Sequence, residues 1–380
     1  MPGSKKVVPA MIDTTEKDLP LCWWTARDLA KAIRNREASA VEVMRAHLDR
    51  ISDVNDKVNV IVSMVSAHEA LAAAEAADRA VARGDDLGPL HGLPTAVKDL
   101  VDVRGFPTTR GSSAYADAPP ATRDSLLARR LREAGAIIIG KTNTPEHGVG
   151  TLTFNSVFGI TRNPYDLSRH AGGSSSAAAA LAAGMLPVAD GSDSGGSLRY
   201  PSAFCNTVGL RTSAGRVPAG AEGSGWSPHG VLGPMARNSQ DAGLILSAIA
   251  GSDENSPLSL TEDPAVFADI QPSELAGLRI AWSQDADGLP IDLEVRAAHN
   301  KARDTLASLG CVIDDLEPDF TDADECWEII EMFGFFSIGR EGVASHPEFF
   351  RADFIRNVRQ GEALSATEID RGLRLRADLF

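Results

Sequence analysis

Two groups of residues carry the strongest chemical signal. One is Gly195-Gly196-Ser197, a serine presented by a diglycine turn within Gly172 to Pro218, a stretch crowded with Gly, Ser and Ala. Small residues let backbone approach backbone or a ligand, and consecutive N–H groups in such a turn can converge on an anion. The other is Lys98, which closes the apolar run Leu93 to Val97 and precedes Asp99. Most lysines are solvated charges, but at this position solvation gains little. Burial disfavours the ammonium, and a neutral amine near physiological pH is a competent general base. A serine hydroxyl is a poor nucleophile until a base takes its proton.

Competing motifs carry less. Gly135 to Thr142 fits the phosphate-loop pattern GxxxxGK[ST] letter for letter. A phosphate cradle needs inward-pointing N–H groups and a helix starting at the Lys-Thr pair. Here the intervening residues are apolar and mostly β-branched, and Asn143-Thr144-Pro145 follow where the helix should run, so a strand is expected. No GxSxG elbow, SxxK or HExxH string occurs. His91, His147 and His170 lie in or near the small-residue stretch. Each is chemically able to act as a base, but a lone histidine without a partner reads as an ordinary polar residue.

The elements that must position these residues show in the periodicity. Thr25 precedes an apolar run with Leu29, Ala30 and Ile33, Ser39 with Glu42 forms a capping-box pattern, and Ala70 to Ala80 is an alanine-rich helix ending before Gly84. Thr122 or Asp124 is placed to cap a helix through Leu126, Leu127 and Leu131, and Ala136 to Ile139 reads as a strand. Leu278 to Trp282 is a strand, Leu293 to Leu309 a helix stopped by Gly310, and Cys311 to Ile313 another strand. Strands alternating with helices give an α/β fold with a mixed β-sheet core covered by α-helices. The expected organisation is an N-terminal extension at 1–24 and one domain at 25–380. That domain comprises a helical layer at 25–84, a catalytic core at 85–250 and a C-terminal α/β portion at 251–380.

The chain of 380 residues is 43% hydrophobic with a formal net charge of -15. An acidic surface repels phosphate backbones and anionic membranes, so neither nucleic acid nor a membrane is expected as a partner. Cys22, Cys205, Cys311 and Cys326 are scattered without a CxxC pair, which argues against zinc or a disulfide framework. The N-terminus lacks the apolar core of a secretory signal. The longest apolar stretch, Ala177 to Ala189, is interrupted by Gly184 and Pro187 and falls short of the roughly 20 residues of a membrane span. A cytoplasmic protein without metal or cofactor is expected.

Taken together, several strings resemble the amidase-signature family: Gly92 to Asp99, Gly135 to Asn143, Gly172-Gly173-Ser174-Ser175, Gly191 to Pro201, and Phe204 to Pro218. The resemblance runs from about Thr25 to the end of the chain and places the phosphate-loop match inside a sheet strand. It implies that Ser197 is the nucleophile, Lys98 the base, and the first serine of the Gly-Gly-Ser-Ser string a bridging serine held by a cis peptide bond. The N–H groups of Ser194, Gly195 and Gly196 would form the oxyanion hole, with Arg199 and Asp193 in support. The implied activity is hydrolysis of a small linear amide, with a homodimer as a further expectation. The alternatives are a glutamine-hydrolysing amidotransferase-type subunit or a non-catalytic amidase-like protein. Two departures stand out. The string continues Ser175-Ser176-Ala177 where the family has Gly-Gly, so counting from the string favours Ser174 as the bridge, with Ser175 in reserve. The chain also stops at Leu379-Phe380 inside a helical-looking stretch, where family members continue, so an early end is expected.

Overall fold

The computed structural model describes residues 19–220, 225–286 and 288–380; residues 1–18 of the expected N-terminal extension lie outside them. The chain divides into two compact units, one of Met1–Ile270 with Ser345–Ala352 and one of Gln271–Ala344 with Asp353–Phe380.

The first unit opens with α1 (Ala26–Asn35), α2 (Ala40–Val58), β1 (Ile61–Met64) and α3 (Ala67–Arg83). The expected start signals hold: Thr25 accepts the Asp28 N–H, and Ser39 with Glu42 closes a full capping box. Then come β2 (Pro94–Lys98), α4 (Leu126–Glu133) and β3 (Ile137–Thr142). Neither Thr122 nor Asp124 caps α4. Ser125 does, its hydroxyl accepting the Ala128 N–H, because Asp124 is taken by the Arg104 N–H and the Arg132 side chain.

Two small hairpins follow, β4 (Phe154–Asn155) with β5 (Gly159–Ile160) and β6 (Arg162–Asn163) with β7 (Asp166–His170). The chain continues through α5 (Ala177–Ala182), β8 (Val188–Asp193), α6 (Arg199–Cys205), β9 (Val208–Gly209), β10 (Val231–Ala236) and α7 (Ser239–Ile249). The second unit holds β11 (Arg279–Trp282), α8 (Leu293–Ser308), β12 (Val312–Asp315), α9 (Ala323–Ser345), α10 (Ala352–Ala363) and α11 (Ala366–Leu379).

The fold is α/β, as expected, but the core sheet comes in two three-stranded pieces, β1-β3-β2 and β8-β10-β9. In the first, β2 runs parallel to β3 with Lys98 opposite Thr142, and β1 runs antiparallel. In the second, β10 runs antiparallel to β8 with Pro234 opposite Asp190. The β-branched Ile137-Ile138-Ile139 run suits a pleated, buried surface, which explains why the phosphate-loop match is a strand. Helices α3 and α4 pack on β3, while α5 and α7 pack on β8 and β10. Strands β2 and β8 lie side by side with no ladder. Side chains join them instead: Thr95 Oγ1 donates to Val188 O at 3.0 Å, and the Lys98 N–H donates to Asp190 Oδ1 at 3.1 Å. In the second unit β11 pairs parallel with β12, Arg279 opposite Val312. No helix among the described residues is long and apolar enough to cross a membrane. All four cysteines are buried and free.

Candidate active site

Lys98 ends β2 with its side chain buried. Its amine donates to three hydroxyls, Ser174 Oγ at 2.8 Å, Ser192 Oγ at 2.9 Å and Ser175 Oγ at 3.0 Å. Three acceptors suit an ammonium, which has three N–H bonds and no lone pair. Burial nevertheless pushes the lysine down to about 7, against the opposing pull of Asp190 and Asp193. Asp99, the chain neighbour, does not face this amine. It pairs with Lys141 at 3.1 Å, both side chains buried, so the lysine of the phosphate-loop match is an internal ion-pair partner. Lys141 also donates to Val101 O at 2.7 Å. Burial lowers Lys141 and raises Asp99, each opposed by the other's charge.

Ser174 and Ser175 lie in the turn between β7 and α5. Gly172 and Gly173 take left-handed φ values of 78° and 56°, and a Cβ on Gly173 would collide with the Pro201 ring. This pair of glycines makes the turn. The described residues contain no cis peptide bond, so the cis bond implied by the family resemblance is absent. The Gly173 N–H bonded to Thr151 O at 2.8 Å, and Gly173 O bonded to Thr153 Oγ1 at 3.0 Å, hold the turn with trans peptides.

The serines differ in their commitments. The Ser175 hydroxyl donates to Ser192 O at 3.2 Å and accepts the Ser192 N–H at 3.2 Å. Ser174 sits between Lys98 and Ser197: its Oγ meets Lys98, and its N–H donates to Ser197 Oγ at 3.1 Å. No hydrogen bond joins the two hydroxyls directly among the described residues.

Ser197 follows β8 and precedes α6, nearly buried, in a loop pinned from beneath by Asp193. The Asp193 carboxylate accepts the Gly196 N–H at 2.8 Å, the Leu198 N–H at 3.2 Å, Arg199 Nε at 3.0 Å and Arg211 Nη1 at 2.8 Å. Burial alone would raise this acid, but Arg199 and the two N–H groups outweigh it and hold it at about 2. Gly196 takes φ 109°, and a Cβ there would strike the Tyr200 ring. Its N–H is spent on Asp193, whereas Ser194 and Gly195 are exposed and their N–H groups carry no hydrogen bond among the described residues.

The structure thus brings Lys98, Ser174, Ser175 and Ser197 together and sets Asp193 and Arg199 against the loop that carries Ser197. Sequence reasoning missed Arg211, Ser192 and Asp190. The latter two are two residues apart on β8 and so share a strand face. A carboxylate in the apolar run Val188-Ala189-Asp190 was the available signal.

A protein-family model described as Amidase matches residues 42–358. The chain is similar to an acylamidase of Rhodococcus erythropolis, 35% identical over 375 residues, covering 96% of this chain and 76% of that protein. It is also similar to a glutamyl-tRNA(Gln) amidotransferase subunit of Acidothermus cellulolyticus, 43% identical over 289 residues, covering 75% of this chain but only 57% of that protein. Among solved structures it resembles a bacterial aryl acylamidase of the amidase-signature enzymes. The TM-score is 0.84 at 28% identity, covering 94% of this chain and 76% of that one.

Proposed function

The chain belongs to the amidase family, hydrolases acting on amide C–N bonds, and on that premise we propose that it cleaves a small linear amide through a Ser197 acyl-enzyme. The observation that carries this reading is that Ser174 meets both groups, its Oγ accepting from Lys98 Nζ and its backbone N–H donating to Ser197 Oγ. With Lys98 neutral, the Ser197 hydroxyl turns toward Ser174 Oγ and passes its proton there, while the Ser174 proton moves to Lys98 Nζ. The Ser197 Oγ–C bond forms, and the N–H groups of Ser194 and Gly195 meet the developing oxyanion. As the C–N bond breaks, the proton returns from Lys98 through Ser174 to the leaving amine. Water then attacks the acyl group by the same route, giving the carboxylate and free Ser197. Asp193, Arg199 and Arg211 hold the loop that presents Ser197.

A fluorophosphonate should label Ser197 in the wild type, and Ser197→Ala should lose both labelling and amide turnover while unfolding like the wild type. Turnover retained in Ser197→Ala would overturn the reading. The similarity to amidotransferase subunits supports a second reading, ammonia release from glutamine for a partner enzyme. Glutamine hydrolysis appearing only when such a partner is added would favour it. We carry forward from the sequence a homodimer, which light scattering on the eluting peak tests, and a cytoplasmic setting, consistent with four buried free thiols.

A further inference from the structure

Asp190 lies in the middle of β8 with no exposed surface. One carboxyl oxygen accepts the Lys98 N–H at 3.1 Å; the other, Oδ2, is buried with no hydrogen-bond partner. A carboxyl is an extravagant way to satisfy one backbone N–H, because a carbonyl or an amide would do so without burying a charge. The remaining charges nearby are already committed. Asp193 is neutralised by Arg199 and Arg211, and Asp99 is paired with Lys141. Strand β10 (Val231–Ala236) and helix α5 (Ala177–Ala182) bring no titratable side chain. On α7, Asp241 is turned to the N–H groups of Ala26 and Arg27. Asp190 is therefore the carboxyl beside the base with no ion pair of its own.

We propose that Asp190 is a positioning residue for the reaction, its buried carboxylate stabilising the ammonium that forms on Lys98 during acylation. This rests on the catalytic reading above, in which Lys98 accepts the proton. The three acceptors around Nζ are neutral hydroxyls, so the forming cation needs a counter-charge from elsewhere, and Asp190 supplies it from one residue's backbone away. The charges act in the matching direction. Asp190 and then Asp193 oppose the downward push of burial on Lys98. Burial pushes Asp190 up to about 6, opposed by the Lys98 N–H and by the charges of Lys98 and Lys141. Above that value the carboxylate is ionised and available.

The test is the pH dependence of Ser197 labelling by a fluorophosphonate in wild type and Asp190→Asn. Asparagine keeps an oxygen for the Lys98 N–H and removes the charge, so a purely structural role would leave the profile where it was. Losing the charge should weaken Lys98 as a base. The acid limb should then move down by about one unit, the low end of the range for one nearby opposite charge, and the plateau rate should fall. Should Asp190→Asn fail to fold, Asp190→Thr offers another uncharged oxygen on a β-branched, strand-compatible side chain, with the same expected shift. A limb coinciding with the wild type's, or one displaced upward, overturns the proposal. Wild-type Ser197 that never labels at any pH overturns the catalytic reading itself, and this proposal falls with it.

Discussion

Of the three serines on the Lys98 amine, only Ser174 also bonds Ser197 among the described residues, through its backbone N–H. Ser175 spends its proton on Ser192 O, and among the described residues no hydrogen bond joins Ser192 to Ser197. Ser174→Ala should therefore slow acylation by about 10²–10⁴-fold, the usual worth of a positioned proton-transfer group. Ser175→Ala should slow it by less than about tenfold, costing mainly about 1 kcal/mol of stability for a lost internal hydrogen bond. Single-turnover acylation rates beside denaturant melts separate the two, and Ser175→Ala as the more damaging change would move the bridge by one residue. The base predicts a pH profile of its own. Lys98 must be neutral before acylation, and burial holds it near about 7, so acylation should rise with pH through that value and level off above it. Lys98→Arg should show no such limb and almost no rate, because a guanidinium stays protonated. Near-normal rates in that variant would end the proposal. The diglycine turn and the apolar run ending at Lys98 stand out in the chain, and the structure brings Ser197 and Lys98 to the same Ser174. The charges that tune Lys98 do not stand out, because Asp99 next to it turns away while Asp190, 92 residues on, faces its backbone.

At the level of single elements, local signals were legible wherever the deciding partner lay within a turn. Thr25 and the Ser39–Glu42 box both cap helices as expected. The start of α4 was misplaced because three polar residues with acceptor side chains, Thr122, Asp124 and Ser125, compete for one cap. Tertiary partners of Asp124 settle the matter. Strand β3 was legible from its isoleucines, but the role of its Lys141 was not, since only the fold brings its amine to the Asp99 carboxylate. This pair makes a prediction. Both groups are buried, so Lys141→Met alone leaves an uncompensated carboxylate and should cost about 3–5 kcal/mol. Lys141→Met with Asp99→Leu should cost clearly less than the sum of the single changes. A double-mutant cycle by chemical denaturation measures the difference, and additive costs would show that the pair is not coupled.

Across the whole molecule, the α/β class followed from the alternation of strand and helix patterns, and the strings that match the family fall where the structure gathers Lys98, Ser174 and Ser197. The break of the core sheet into β1-β3-β2 and β8-β10-β9 was not legible, because it depends on which strand edges meet, and no periodicity along one strand records that. The seam between β2 and β8 has a mechanical consequence. A backbone ladder is a weld, fixing two strands at every other residue. Here Lys98 rides on one plate and the Ser197 loop on the other, and among the described residues the plates are hydrogen-bonded by two side-chain bonds and by the cluster of hydroxyls on Lys98. Such a joint is stiff along each strand and compliant across it. The spacing between Lys98 and Ser197 is then a length the site sets for itself, since the groups proposed to move the proton are also part of the latch that holds the two plates together.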